Sequence, residues 1–234
     1  MIEETNWREI YKKKEIDPDN LGRIIQPGDR IFIGTACSEP LVLSSELVKK
    51  KWRFTDCEII HFLTLSDHKF FDDRDPTLFR HHALFIGPSI REAINSGKAD
   101  YIPISLSDIP KLLRARRMHV DVALIQVSPP DKFGFCSLGV SVDITRTVVE
   151  VAKTVVAQIN PQMPRTMGDS YISMDRISHY VYHDGPIIEF SYPAIDDRSN
   201  KIGKFIARLI ENGSTLQFGI GVIPNAVLKN LTDK

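Results

Sequence analysis

The sequence predicts an α/β fold, with an open, mostly parallel sheet sandwiched between helices. Three observations carry that expectation. Short apolar, β-branched runs alternate with capped amphipathic helices along most of the 234 residues, a rhythm that implies right-handed βαβ units. Val120–Val127 (VDVALIQV) is near-continuously apolar, which suits the centre of a sheet covered on both faces. Three turn segments, Gly34–Pro40, Ser128–Gly139 and Phe218–Pro224, follow predicted strands, at the carboxyl ends where such sheets hold ligands.

Taken in order, Trp7–Lys14 reads as a short helix with a charged face, and Asp17-Pro18 starts a second with Asp17 as N-cap and Pro18 at N1. Pro27-Gly28-Asp29 turns the chain into the strand Arg30–Gly34. Ser38-Glu39-Pro40 opens a helix running to about Lys51, and Cys57–Leu65 is the next apolar strand. Asp67–Pro76 reads as an exposed acidic loop. Leu78–Ile86 is expected as a strand, and Ser89-x-x-Glu92 as a capping box for a helix Ile90–Ser96 that Gly97 closes. A strand at Ala99–Ile104 and a helix at Ser107–Arg117 follow, the latter basic near its C-terminal end, where cations suit the dipole.

Beyond Val127, Pro129-Pro130-Asp131 ends the central strand and Lys132–Ser141 is a glycine-bearing loop. Val142–Lys153 reads as helix, Thr154–Ile159 as strand, Asn160–Gly168 as loop, and Asp169–Tyr192 as broken β-like pieces. Ile195–Glu211 places Ile202, Phe205, Ile206, Leu209 and Ile210 at i, i+3, i+4, i+7, i+8, the apolar stripe of an amphipathic helix. Asn212-Gly213 caps it. Thr215–Phe218 then reads as a buried strand and Asn225–Leu231 as a helix with Pro224 in its first turn.

The composition allows a full core, with 42% hydrophobic residues in one domain or two small ones. Thirty basic side chains balance thirty acidic ones, so nothing points to nucleic acid or an anionic membrane surface. No apolar run approaches the roughly 20 residues of a membrane span. Three cysteines without C-x-x-C spacing fit a reduced compartment. The opening residues carry no targeting pattern, and a cytoplasmic protein is expected.

The glycine segment Leu216–Val227 (LQFGIGVIPNAV) draws the functional reading. Strand, two glycines and a helix start let backbone N–H groups approach a ligand with no Cβ in the way. A tight strand-to-helix turn explains the same pattern without a ligand. The dinucleotide fingerprint fails, since its third glycine would fall at Pro224, and no Gly-Lys-Ser/Thr follows for a phosphate loop.

Other chemistry is weaker. Cys57, His61, His81 and His82 could be drawn as a zinc set, but on one strand Cys57 and His61 lie about 13 Å apart, so no metal is expected. Cys37 and Cys136 have no partner histidine at a recognisable spacing and read as structural thiols. Glu39 sits at a helix start, which stabilises its carboxylate and blunts it as a nucleophile, so capping or substrate contact is favoured. Asp72-Asp73-Arg74-Asp75 lacks calcium-loop spacing. Asp143 and Arg146 face a glycine-bearing loop, and a helix N-cap with an i, i+3 pair explains them equally well.

Five segments together are distinctive: W-R-E-I-Y-K near the start, G-D-R-I-F-I-G-T-A-C-S-E-P, D-V-A-L-I-Q-V-S-P-P-D-K-F-G-F-C-S-L-G-V-S-V-D, N-P-Q-M-P-R-T-M-G-D and G-I-G-V-I-P-N-A-V. On these the chain resembles the N-terminal domain of the acetyl-CoA hydrolase/transferase family, class I CoA-transferases that include 4-hydroxybutyrate and butyrate–acetate CoA-transferases. The resemblance covers essentially the whole chain. It implies an open α/β domain, two such domains per polypeptide, and passage of CoA between carboxylic acids through a glutamyl-CoA thioester.

The resemblance also implies that the CoA-binding loop falls on Gly219, Ile220, Gly221, Val222 and Ile223, with coenzyme A or an acyl-CoA as substrate. The family's nucleophilic glutamate lies in an H-T-E-M-like segment shortly after the G-I-G-x-I-P helix. No glutamate of residues 1–234 matches that segment, and Glu39, Glu189 and Glu211 are not assigned to it. The expectation is therefore a single N-terminal domain, inactive alone, that carries much of the CoA site but not the nucleophile. It would form homo-oligomers or associate with a C-terminal domain. A stand-alone module that binds CoA or acyl-CoA without turnover, perhaps as a partner subunit, is the alternative reading. A nucleotide-binding α/β protein is a third, disfavoured by the missing glycine. The acceptor acid, and transfer against hydrolysis, are not legible in these residues.

Overall fold

Alternating side chains on one strand, β5 (Val122–Val127), feed two separate cores. Ala123, Ile125 and Val127 join Phe32, Ile60, Val155, Ala157 and Ile159 on one face. Val122 and Leu124 join Ile31, Ile33, Ile59 and Val156 on the other. All six β5 residues are buried, the consequence of a two-residue side-chain period with helices on both sides. The computed structural model describes residues 7–66, 79–191 and 194–232, which divide into two compact units, Met1–Ile188 and Glu189–Lys234.

In the first unit the chain runs α1 (Trp7–Tyr11), α2 (Leu21–Ile24), β1 (Arg30–Ile33), α3 (Leu41–Lys49), β2 (Cys57–His61), β3 (Phe79–Ala83), α4 (Pro88–Asn95), β4 (Asp100–Tyr101) and α5 (Ile109–Arg114). It continues through β5, β6 (Phe135–Ser137), α6 (Thr145–Val151), β7 (Thr154–Ile159), β8 (Tyr171–Ser173) and β9 (His179–Tyr182). Seven strands form one sheet in the order β4-β3-β2-β1-β5-β7-β9, and every pairing in it is parallel. The order reverses at β1, which pairs with β2 on one side and β5 on the other. That is the switch point at which such sheets open a crevice. The segment before α2 covers the β9 edge, with Ile16 N–H donating to the Tyr180 carbonyl at 2.9 Å and Trp7 packed 5.6 Å from the Tyr180 ring.

Local chemistry explains where observed bounds differ from those expected. Asp17 does cap its turn, accepting from Asp19 N–H at 2.9 Å. The Ser89/Glu92 capping box does not form. Pro88 takes the first helical position with Gly87 as N-cap, and Ser89 Oγ donates to the Thr64 carbonyl at 3.0 Å. Gly97 does end that helix region with φ +73°. The strand expected at Ala99–Ile104 is reduced to Asp100–Tyr101, because Pro103 has no N–H to pair. The loop expected at Lys132–Ser141 contains β6, a three-residue strand too short for a period to show, and the broken β-like pieces expected at Asp169–Tyr192 are β8 and β9, of which β8 pairs antiparallel with β6. The expected acidic loop Asp67–Pro76, with Asp72–Asp75, lies outside the described residues.

The second unit holds α7 (Asp197–Arg208) and α8 (Val222–Lys229). Thr215–Phe218 is not a strand: it has no regular structure and no sheet includes it. An apolar β-branched run needs a neighbour for its N–H and C=O groups, and this unit supplies helices. The stripe expected to be buried on α7 is also not the one that packs within the unit. Ser199, Gly203 and Ala207 are the buried residues, while Phe205 is 65% and Leu209 83% exposed. Gly203 lies so close to α8 that a Cβ there would meet the Ala226 carbonyl at 2.6 Å. Small residues win this interface because they let the helix axes approach.

Candidate functional site

Geometry at the carboxyl end of β1 is tightly specified. Gly34 turns the chain where a Cβ would press the Ser38 carbonyl at 3.0 Å and Pro40 Cδ at 3.2 Å. Ala36 adopts φ +49°, unusual for a residue with a side chain, and its N–H is held by the Leu63 carbonyl at 2.7 Å. Asp143 is another such residue, at φ +23°. Its carboxylate accepts from Thr35 Oγ1 and from Thr145 N–H at 3.1 Å. One side-chain hydrogen bond thus ties Asp143 to Thr35, the neighbour of Ala36, beside the switch point. Asp143 does act at the start of α6, but Arg146 pairs with Asp169 and Glu150 rather than with it.

Glu39 is fully buried and does not cap α3. Its carboxylate accepts from Ser66 Oγ at 2.7 Å and Ser66 N–H at 3.3 Å, tying the loop after β1 to the loop after β2. Behind it stands a group that sequence reading missed, a ladder of three buried amides, Gln126, Gln158 and Asn160. Gln126 and Gln158 are register partners on β5 and β7. The available signal was a glutamine at the next-to-last position of each of two otherwise apolar strands. Nearby, Ser137 Oγ, also fully buried, accepts from Gly139 N–H at 3.1 Å and Thr166 N–H at 3.2 Å. Ser38 Oγ donates to the Leu138 carbonyl at 3.4 Å. The loops after β1, β5 and β7 are laced into one surface.

The glycine segment belongs to the second unit. Gly221 is the N-cap of α8 with φ +142° and ψ 173°, a conformation that excludes an ordinary side chain. A Cβ at Gly219 would meet nothing within 4 Å, so packing does not demand that glycine. Ile220 and Ile223 are 68% and 42% exposed. The helix begins at Val222, earlier than expected, with Pro224 in its first turn. Gly219, Ile220 and Ile223 are exposed, and no side chain caps the start of α8.

The remaining candidates are inert or elsewhere. Burial raises the thiol pKa of Cys57 to about 11 and of Cys136 to about 12, which keeps both protonated and unreactive. Cys57 and His61 lie at opposite ends of β2, with His61 Nδ1 2.8 Å from Thr64 Oγ1. A concavity of about 460 Å³ lined by Glu58, Phe79, Arg80, Lys98 and Asp100 lies at the amino ends of β2, β3 and β4, the wrong end of the sheet for a ligand crevice.

Comparison with known proteins bears on family and fold. Residues 1–191 match the acetyl-CoA hydrolase/transferase N-terminal domain, a stretch that contains all the strand-end loops of the first unit. The 4-hydroxybutyrate coenzyme A transferase of Clostridium kluyveri is 43% identical over 228 residues, 97% of this chain and 53% of the relative. A succinyl-CoA:acetate/propanoyl-CoA:succinate CoA transferase of Fasciola hepatica is 41% identical, over 95% of this chain and 47% of the relative. The crystal structure of 4-hydroxybutyrate CoA-transferase from Porphyromonas gingivalis superposes with a TM-score of 0.77 at 29% identity, covering 97% of this chain and 53% of that one. RipA from Yersinia pestis gives 0.88 at 26% identity over 98% of this chain. The chain spans about half the length of these relatives, and by sequence and fold alike it belongs to the acetyl-CoA hydrolase/transferase family.

Proposed function

We propose that residues 1–234 are the N-terminal half of an enzyme that moves CoA between an acyl-CoA and a short carboxylic acid through a glutamyl-CoA thioester. Hydrolysis of acetyl-CoA is the variant outcome if water takes the place of the acid. The relatives, named as CoA transferases, support the reaction class. Gly219, Ile220, Gly221, Val222 and Ile223 are assigned to the CoA ester, whose pantetheine or pyrophosphate needs close backbone approach at a helix start. The nucleophilic glutamate is assigned to the second half of the polypeptide, since no H-T-E-like segment occurs in these residues. The exposed Phe205 and Leu209 fit a surface that this second half, or another copy of the enzyme, covers. No helix among the described residues is long and apolar enough to cross a membrane, and we place the enzyme in the reducing cytoplasm.

The observation that carries the binding assignment is Gly221 at φ +142° on an open loop. In the complete enzyme, Gly221→Val should weaken CoA binding about ten- to hundredfold, through loss of one or two N–H contacts to phosphate at about 1.5–3 kcal/mol each. Calorimetric titration with CoA beside a thermal melt of the same variant checks this. Unchanged affinity per folded molecule with a large fall in melting temperature would make Gly221 a purely structural glycine.

A further inference from the structure

Helix α3 starts after Pro40, which offers no side-chain acceptor to the orphan donors of the first turn. Val42 N–H is answered from a neighbouring strand instead, by Gln158 Oε1 at 2.9 Å. Gln158 Nε2 donates to Gln126 Oε1 at 2.9 Å, and Gln126 Nε2 donates to the Glu39 carbonyl at 3.0 Å. Asn160 Nδ2 reaches the same Gln126 Oε1 at 2.9 Å and the Gly185 carbonyl at 2.8 Å. All three amides are at most 3% exposed. The backbone is thereby clamped at two points three residues apart, Glu39 C=O and Val42 N–H, by neutral groups only.

A local N-cap side chain would satisfy α3 more simply, whereas two glutamines inside an apolar sheet cost desolvation unless both are fully bonded. What the ladder adds is control of position. The helix start is served from β7, and the Glu39 carboxylate accepts from Ser66. The Gly34–Glu39 loop is then held in one place at the switch point.

We infer that Gln126 and Gln158 are positioning residues for the CoA ester, clamping the Gly34–Glu39 loop in the geometry that receives the acyl-thioester end. This rests on the CoA-transferase reading. Neither glutamine touches the ester. Both act through the backbone of the loop.

The test uses the complete enzyme with acetyl-CoA as the varied substrate, and amide hydrogen exchange without ligand. Gln158→Met removes both bonds of that side chain. Exchange at Val42 and across residues 34–42 should quicken while β5 and β7 stay protected. KM for acetyl-CoA should rise about three- to tenfold, the effect of a lost hydrogen bond, with kcat nearly unchanged. Gln158→Glu provides the conservative variant. Burial favours its neutral carboxyl form, which can both accept from Val42 and donate to Gln126. Its KM should therefore return toward wild type as pH falls, while that of Gln158→Met does not. An unchanged KM in folded Gln158→Met, or activity lost only in proportion to unfolded protein, would overturn the inference and leave the ladder a fold element. If wild type does not turn over acetyl-CoA, the CoA reading fails and this assignment fails with it. The exchange measurement still reports separately whether the ladder clamps the loop.

Discussion

At the end of β2 the His61 ring is buried, and burial, reinforced by the charge of His82, lowers its pKa to about 4. In the unfolded chain the same ring titrates near 6.5. Between those values the unfolded state takes up a proton that the folded state refuses, so stability falls as pH drops through the window and the deficit persists below it. From pH 6.5 to 5 the cost is about 2 kcal/mol. His61→Gln, which keeps an amide near Thr64, should flatten this acid slope. Denaturant melts at pH 7 and pH 5 would show it, and parallel slopes for the two proteins would contradict the assignment. At this scale the sequence was legible where backbone geometry restricts residue type, as at Gly221, and where burial silences a thiol, as at Cys136, whereas Cys37, expected to be a buried thiol as well, is only partly buried. At Gln126 and Gln158 the sequence offered only a lone polar residue near the end of each apolar strand, because their pairing comes from register between β5 and β7.

Helix α7 shows how an element can be foreseen and its packing misread. Its existence follows from the apolar period, and its start from Asp196, which accepts from Ser199 N–H at 2.7 Å. The period does not reveal which face meets α8. The contact runs along Ser199, Gly203 and Ala207, and Asn230 Nδ2 bridges to Asn200 Oδ1 at 3.1 Å and the Ala226 carbonyl at 2.7 Å. Gly203→Ala is a sharp test. Alanine gains roughly 1 kcal/mol in helix propensity, but its Cβ would meet backbone atoms of Ala226 at 2.6 Å. Overpacking of about 1–3 kcal/mol should win, so amide exchange in residues 197–229 should quicken. Slowed exchange would mean that propensity prevails and the contact yields. The misplaced strand Thr215–Phe218 is the complementary lesson: β-propensity describes a residue that fits a sheet, and makes no strand where no partner strand lies alongside.

For the molecule as a whole, alternation of elements was enough to foresee the parallel sheet between helical layers, and an apolar β5 at its centre. Strand order required the structure. The reversal at β1 brings Gly34–Pro40 and Ser128–Gly139 to neighbouring strand ends, whereas Phe218–Pro224 belongs to the second unit. The short antiparallel pair β6–β8, and the hydroxyl cluster at Ser137 beside it, arise from contacts between segments some 30 residues apart, which is why no local signal announced them. The proposed function likewise divides the labour, giving CoA binding and positioning to these residues and the reacting glutamate to the second half.

That division is tested most directly by an assay of CoA transfer from acetyl-CoA to a short carboxylate, run in parallel on purified residues 1–234 and on the complete polypeptide. The account predicts transfer by the complete enzyme and none by residues 1–234, whose path through an enzyme-bound thioester lacks its nucleophile. No transfer by either would favour a module that holds CoA without turnover. Robust transfer by residues 1–234, abolished by Glu39→Gln or by changing another of their own glutamates, would contradict the account.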